Sequence, residues 1–377
     1  MGLILSILEE KKKIIDRLRS SLDRYSQLKA EKDHHSRRKP RPCGMTIHTG
    51  IGCSYGCTYC YIYDMGFPGR VQPYPLSPLE LVYALSLNPY IVPRYTLAAY
   101  GSVTEPFLPE TSKLAIEYIK NVYKWLKLPS QVSTKSVISN DLAKELYYAE
   151  PNINVLITLV TLERYRELEP RAPQPRERLK GAKNAIDHGL KITLFLRPII
   201  PGVTDREAVG ILKEAADVGI ESIVLGSLRV TPGILKRLES RGIDTKAIIK
   251  RLPRYPRNNR DQVTIKCSDI KKRISMMAKD MGFKVFETAC AANIYAHNEY
   301  CYACDLGPCG NYRKAPRISE SDIYEYLEFL KIKHVDIEVK DNRIVIFFKH
   351  RIQSRDIEIV RYVLTSITRK RVSLRIM

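Results

Sequence analysis

The sequence predicts an α/β protein, a parallel sheet covered by helices, and three observations carry the prediction. From Met45 to about residue 230, apolar β-branched runs alternate with helical stretches. This is the pattern of strands buried on both faces and joined by crossover helices. Six such strand–helix units follow one another. Six suits a partial barrel, six-eighths of the (β/α)8 design, and a doubly wound open sheet accommodates the same alternation. The third observation is a loop, Cys53-Ser-Tyr-Gly-Cys57-Thr-Tyr59-Cys60-Tyr61, directly after the first strand. Folds of this class place their chemistry at the C-terminal ends of strands.

The elements follow in order. Residues 3–33 read as one amphipathic helix, with Ile4, Leu8, Ile15, Leu18, Leu22, Tyr25 and Leu28 at helical spacing. The stripe is short and irregular for a coiled coil, so docking on the main domain is expected. Residues 33–42 form a basic, proline-containing linker, which closes a first segment, 1–42. In the main domain, 43–230, strands are expected over Met45–Thr49, Tyr95–Gly101, Val132–Lys135, Asn154–Leu162, Lys191–Ile200 and Ser222–Val230. Helices are expected over Pro78–Leu87, Glu110–Leu126, Asp141–Ala149, Pro175–His188 and Asp205–Val218. Residues 231–316 form a basic and Cys-rich extension, with a helix and a short strand between 269 and 287. Residues 317–377 read as a small α+β domain. It has helices over Ser319–Ile332 and Arg355–Thr365, a hairpin turning at Asp341-Asn342 and a last strand over Val372–Ile376.

The formal net charge is +21, from 62 Lys+Arg against 41 Asp+Glu. Such an excess favours acidic partners, nucleic acid first. Arg251, Arg254, Arg257 and Arg260 around Tyr255 read either as a nucleic-acid groove or as a solvated helix and loop. No apolar run approaches the ~20 residues needed to span a membrane, and no basic segment precedes the apolar start. The expectation is a cytoplasmic protein without membrane contact.

Nine cysteines fall in two groups, 53–60 and 290–309, with Cys43 and Cys267 apart. Clustering of this kind reads as metal sites rather than a disulfide framework. Cys53, Cys57 and Cys60 stand at i, i+4 and i+7. Three thiolates can hold three irons of a [4Fe–4S] cube and leave one iron open. The alternative is a structural zinc with His48 as fourth ligand. Cys290, Cys301, Cys304 and Cys309 offer four thiolates within twenty residues, a closed site for zinc or for a second iron–sulfur cluster.

The CxxxCxxC spacing with Tyr59 before the third cysteine resembles the radical S-adenosylmethionine (SAM) enzymes. Four further motifs occur in order: Gly101-Ser-Val-Thr-Glu-Pro106, Thr134-Lys-Ser136, Leu168-Glu-Pro-Arg-Ala-Pro173 and Arg197-Pro-Ile-Ile-Pro-Gly202. Together they are similar to the spore photoproduct lyase-like branch of that superfamily, often labelled DNA-repair photolyase-like. The resemblance implies a partial (β/α)6 barrel. It implies that Cys53, Cys57 and Cys60 ligate a [4Fe–4S] cluster whose open iron chelates SAM. A ferredoxin- or flavodoxin-like donor would supply the electron that cleaves SAM to a 5′-deoxyadenosyl radical, which abstracts hydrogen from substrate. By the same resemblance Tyr59 lies near the adenine. Backbone groups of Gly101 and Ser102 hold the amino group, and Lys135 and Ser136 reach the carboxylate. Thr158 or Thr161 contacts the ribose, and Arg171 and Arg197 hold an anionic group of SAM or substrate.

One departure matters. Spore photoproduct lyases carry a hydrogen-donating cysteine where this chain has Ser102, and an O–H bond is too strong to replace it. Cys267 reads as a core residue rather than a substitute donor. Three readings follow: a radical SAM enzyme acting on nucleic acid, a peptide- or protein-modifying one with an auxiliary cluster at the second cysteine group, or a non-enzymatic iron–sulfur or zinc protein that binds nucleic acid.

Overall fold

The computed structural model describes residues 2–41, 44–333, 335–349 and 354–376. Its main sheet has seven strands: β1 Met45–Ile47, β2 Ala98–Tyr100, β3 Ser130–Thr134, β4 Asn154–Thr158, β5 Lys191–Ile199, β6 Ser222–Ser227 and β7 Lys284–Phe286. Every neighbouring pair is parallel, and the spatial order equals the chain order. An order that never reverses leaves no switch point, so the sheet is not doubly wound. Successive right-handed crossovers place the helices on one face and curl the sheet into an open barrel. The seventh strand lies beyond the six expected. It comes from the basic extension and pairs with β6.

The intervening helices are α3 Pro78–Leu87, α4 Ser112–Leu126, α5 Asn140–Ala149, α6 Pro175–Asp187 and α7 Thr204–Asp217. Helix α3 starts where its sequence dictates: Ser77 and Glu80 form a capping box, and Pro78 takes the first turn. Alternation sorts the strand residues between helices and lumen. Val132, Val155, Ile157, Leu194 and Leu196 are fully buried in the core, whereas Gln131, Ser133, Leu156, Thr158, Phe195 and Arg197 line a cavity of about 300 Å³ inside the barrel.

The floor of the barrel is closed by a helix over Ala289–Ala296. Gln131 Nε2 donates to Ala289 O at 2.7 Å and to Asn154 Oδ1 at 2.5 Å. Asn154 donates on to Thr193, which bonds Ser222. Polar side chains at the floor of four strands are thus satisfied by one another and by the plug.

The amino-terminal segment is two helices rather than one: α1 Leu3–Ser21 and α2 Arg24–Lys32. Asp23 causes the break, because its side chain accepts from Ser26 N–H and caps a new helix. The buried face is Ile4, Ile7, Lys11, Ile14 and Leu18, and Tyr25 is 77% exposed. Ile14 and Leu18 join the barrel core, while Ile4 and Ile7 join the core of the carboxy-terminal domain. That domain is a three-stranded sheet over Val335–Val339, Arg343–Phe348 and Arg371–Ile376, with helices Glu320–Phe329 and Ser354–Thr368. Its hairpin is antiparallel as expected, and its last strand adds in parallel. Cys43 and the end of the basic linker lie outside the described residues. Among these, no helix is long and apolar enough to cross a membrane.

Candidate active site at the barrel mouth

The cysteine loop leaves the C-terminal end of β1 through a two-residue pairing, Gly50–Ile51 with Gln72–Pro73. Cys53, Cys57 and Cys60 line one cavity of about 90 Å³ together with Tyr59, Gly101, Ser102, Glu105, Lys135 and Thr158. The sheet thus brings together the three thiols and the ends of β2, β3 and β4. Gly101 turns with φ +90, a conformation glycine adopts without the clash that a Cβ brings.

Buried acids hold these ends in place. Glu105 accepts from Thr134 Oγ1 at 2.5 Å, from Lys135 N–H at 2.9 Å and from Phe107 N–H at 3.3 Å. Both of its oxygens are committed, so the thiols remain as the donor set of the cavity. Burial raises the Glu105 carboxyl above its usual range despite these bonds. Below the loop, Glu169 and Arg178 are both 0% exposed and pair at 2.5 Å. Arg178 also donates to Pro173 O at 2.8 Å and Thr158 O at 3.0 Å, and the Tyr59 hydroxyl donates to Glu169. Burial opposes the Glu169 charge, but Arg178 and then Lys135 outweigh it and hold the carboxyl below its usual range.

Lys135 is the cation of the cavity. Its Nζ stands over the Tyr59 ring, 5.7 Å from the centroid. Burial works against its charge, yet Cys57 and Glu169 keep it above the ordinary lysine range. Burial pushes the Cys57 thiol up, with Lys135 opposing. A polycation bound at the sulfurs reverses that balance, because a coordinated thiol is deprotonated. Three convergent thiols, with no imidazole among the lining residues, fit an iron–sulfur cluster with an open position better than zinc.

His48 does not join the cysteines. Its ring lies 5.0 Å from that of His34 and 5.4 Å from that of His35, centroid to centroid. The sulfur–imidazole zinc reading is therefore corrected. Ser136 is spent elsewhere: its hydroxyl bonds the Tyr55 hydroxyl at 2.7 Å and donates to Phe107 O at 3.2 Å. Thr161 donates to Glu207 at 2.7 Å, on the helix side. Thr158 and Arg197 line the lumen beside Lys135. The Arg171 guanidinium stands against Gly56 of the loop. Cys267 is buried and donates to Ser227 at 2.9 Å, as a core thiol.

Several residues of this site carried no signal by themselves. Arg237, on the helix Pro232–Glu239, grips Asp64 with two bonds of 2.8 and 2.9 Å and donates to Thr58 O and Cys60 O. The basic extension therefore clasps the back of the cysteine loop. In the same extension Arg251 pairs with Asp269 at 2.7 Å and Arg254 with Asp261 at 2.5 Å. Arg257 lies 3.5 Å from Asp261, and Tyr255 is 59% exposed. These arginines are largely engaged by local acids, as a solvated loop requires.

The second cysteine group sits at the other end of the sheet. Cys290, Cys301, Cys304 and Cys309 line a cavity of about 60 Å³ with Gly44 and Leu97, just ahead of β1 and β2, and with Arg369. Burial and then the neighbouring thiols push Cys309 up to about 11. β3 has five residues, so the sheet puts roughly 13 Å between its floor and its mouth.

Residues 47–215 match the family model of the Radical SAM superfamily. An uncharacterized protein of Acidianus two-tailed virus is 27% identical over 201 residues, 48% of this chain and 65% of that protein. An uncharacterized protein of Methanocaldococcus jannaschii is 27% identical over 172 residues, 43% of this chain and 63% of that protein. The chain thus spans just under two thirds of the length of these curated relatives. Among solved structures, a spore photoproduct lyase mutant aligns with a TM-score of 0.53 at 15% identity, covering 64% of this chain and 76% of that one. Another mutant of that lyase, with bound AdoMet and dinucleoside spore photoproduct, aligns with a TM-score of 0.53 at 16% identity and the same coverage. At such identities the likeness is one of fold.

Proposed function

We propose that the chain is a radical SAM enzyme, a reading supported by the family match over residues 47–215, and that its barrel mouth binds SAM beside a [4Fe–4S] cluster to take a hydrogen atom from a nucleic-acid substrate. The observation that carries the reading is the single cavity shared by Cys53, Cys57, Cys60, Gly101, Ser102, Lys135 and Thr158. Bound there, the cluster and SAM supply a 5′-deoxyadenosyl radical. The chain's own residues orient and shield. Cys53, Cys57 and Cys60 would hold three irons of the cluster. Lys135 would meet the SAM carboxylate as a compact charge, and the Gly101–Ser102 turn would offer backbone acceptors to the amino group. Tyr59, fixed by Glu169, walls the adenine side, and Thr158 lies toward the ribose. Ser136 acts through Tyr55 as a support.

A polyanionic substrate is favoured by the cations around the lumen. Arg197 and Arg229 both line the cavity inside the barrel. Burial, and then Arg229, depress the Arg197 guanidinium, so an anion between them relieves two charges at once. A neighbouring cavity of about 320 Å³ adds Arg38 and Arg41 beside Ser102 and Tyr61. Ser102 at the mouth leaves no thiol where the lyases keep theirs, so hydrogen return to a thymine radical by that route is not part of this proposal. A second reading, peptide modification, draws on the four-cysteine cavity. There Cys290, Cys301, Cys304 and Cys309 would hold a second cluster or zinc, below the floor and out of reach of a substrate at the mouth.

Deuterium tracing tests the substrate class. With reductant and SAM, perdeuterated oligonucleotides are expected to pass label into 5′-deoxyadenosine, and their binding is expected to weaken with salt. Label arriving only from deuterated peptides would replace this reading with the second.

A further inference from the structure

We propose that His34, His35 and His48 form a three-imidazole site for a divalent transition metal, zinc first, separate from both cysteine groups. Each of the three residues presents one ligand atom within 4.8 Å of the others, and among the described residues no other group of three His, Cys, Asp or Glu does so. The ring centroids of His34 and His35 lie 4.1 Å apart.

The partners of these rings fix which nitrogen carries the lone pair. The Tyr74 hydroxyl donates to Asp33 Oδ2 at 2.6 Å and so accepts from His34 Nδ1 at 3.0 Å. His35 Nδ1 donates to Asp33 Oδ1 at 2.7 Å. One carboxylate therefore orients two imidazoles, directly and through a phenol, as second-layer carboxylates do at metal sites. Both rings then offer Nε2. That of His34 is buried with no hydrogen-bond partner, a state that costs free energy unless something fills it. That of His35 receives only a long bond, from His48 N–H at 3.4 Å.

The third ring is His48. Arg38 Nη1 stands 3.3 Å from its Nε2, which marks the lone pair there as well. The charged groups acting on the cluster are Asp33, Arg38 and, at His34, Arg37, and Arg38 is also drawn to Thr46 O. Neutral imidazole suits zinc, copper, iron and nickel, and three protein ligands with an open fourth position is a zinc arrangement. His34 and His48 are half-buried and His35 is fully buried.

The site joins the linker to the end of β1, five residues ahead of Cys53. Zinc bound there would tie the amino-terminal segment to the strand that feeds the cysteine loop.

The test uses the full-length protein with its cysteine sites first loaded with iron under anaerobic conditions, and zinc chloride as probe. One equivalent of zinc is expected to bind, with an X-ray absorption spectrum showing imidazole nitrogen and no sulfur. A Cys301→Ser/Cys304→Ser variant should keep this zinc, and His34→Ala/His48→Ala should lose it. Asp33→Asn should weaken it about 10–100-fold. His35 is left intact because its burial makes it a folding risk, and circular dichroism with iron content verifies that each variant is folded. Sulfur in the zinc shell, unchanged affinity in the folded double-histidine variant, or no zinc uptake by the wild type would each overturn the proposal.

Discussion

The two cysteine groups share a residue type and a tight spacing, but they sit at opposite ends of one sheet in different surroundings. Around Cys53, Cys57 and Cys60 the strand ends supply a turn of backbone, a lysine over a tyrosine ring and a buried Glu169–Arg178 pair beneath. Around Cys290, Cys301, Cys304 and Cys309 the walls are Tyr90, Tyr95, Ile294 and Tyr362. Two arginines line it, Arg41 and Arg369, and Arg369 is already taken by Glu299 at 2.6 Å. Spacing alone gives both the pattern expected of a metal site. Position in the fold distinguishes them: the first group lies at the strand ends beside Lys135 and the Gly101 turn, the second ahead of β1 and β2 among tyrosines.

Substitutions can break this contrast or sharpen it. Glu169→Gln leaves Arg178 buried and unpaired, and the expected loss is about 3–5 kcal/mol of stability in denaturant unfolding. Iron should be lost from the mouth. The Glu169 carboxyl is held below its usual range when folded. Its contribution is therefore complete above the ordinary carboxylate range near ~4.3 and is lost as pH falls below it toward the folded value. In the Gln variant that acid limb should flatten. Equal stability of variant and wild type across pH would remove the network from the account.

Lys135→Ala comes next. A charge-assisted hydrogen bond contributes about 1.5–3 kcal/mol, so SAM binding should weaken by about tenfold to a hundredfold with the iron content intact. Arg369→Ala, at the floor, should leave SAM binding unchanged. The smallest effect is expected from Arg197→Ala, which should lower the salt slope of oligonucleotide binding by about one and leave SAM affinity near that of the wild type. An unchanged slope would remove Arg197 from substrate binding.

Local signals made much of this legible. Helix α3 was readable to the residue because Ser77, Pro78 and Glu80 mark its start. The cysteine motif and the strand-end residues Gly101 and Lys135 converge as their order along the chain implied. What stayed hidden depends on contacts between distant segments. Lys284–Phe286 reads as a strand, but its pairing with Ser222–Val224 spans about sixty residues and closes only in the folded sheet. Glu105, Glu169 and Arg178 look like surface charges until the barrel buries them. His48 looked like a companion of Cys53 by nearness in sequence. A strand end turns it toward His34 and His35 instead, which lie across the linker.

The central claim, that the mouth cysteines alone carry the SAM chemistry, is tested most directly by 5′-deoxyadenosine release. Anaerobically loaded, reduced protein is incubated with SAM, and the product is quantified for wild type, Cys57→Ala and Cys304→Ala. The account predicts release by wild type, none above background for Cys57→Ala, and release persisting in Cys304→Ala. Release that survives Cys57→Ala, or none from fully loaded wild type, would contradict it.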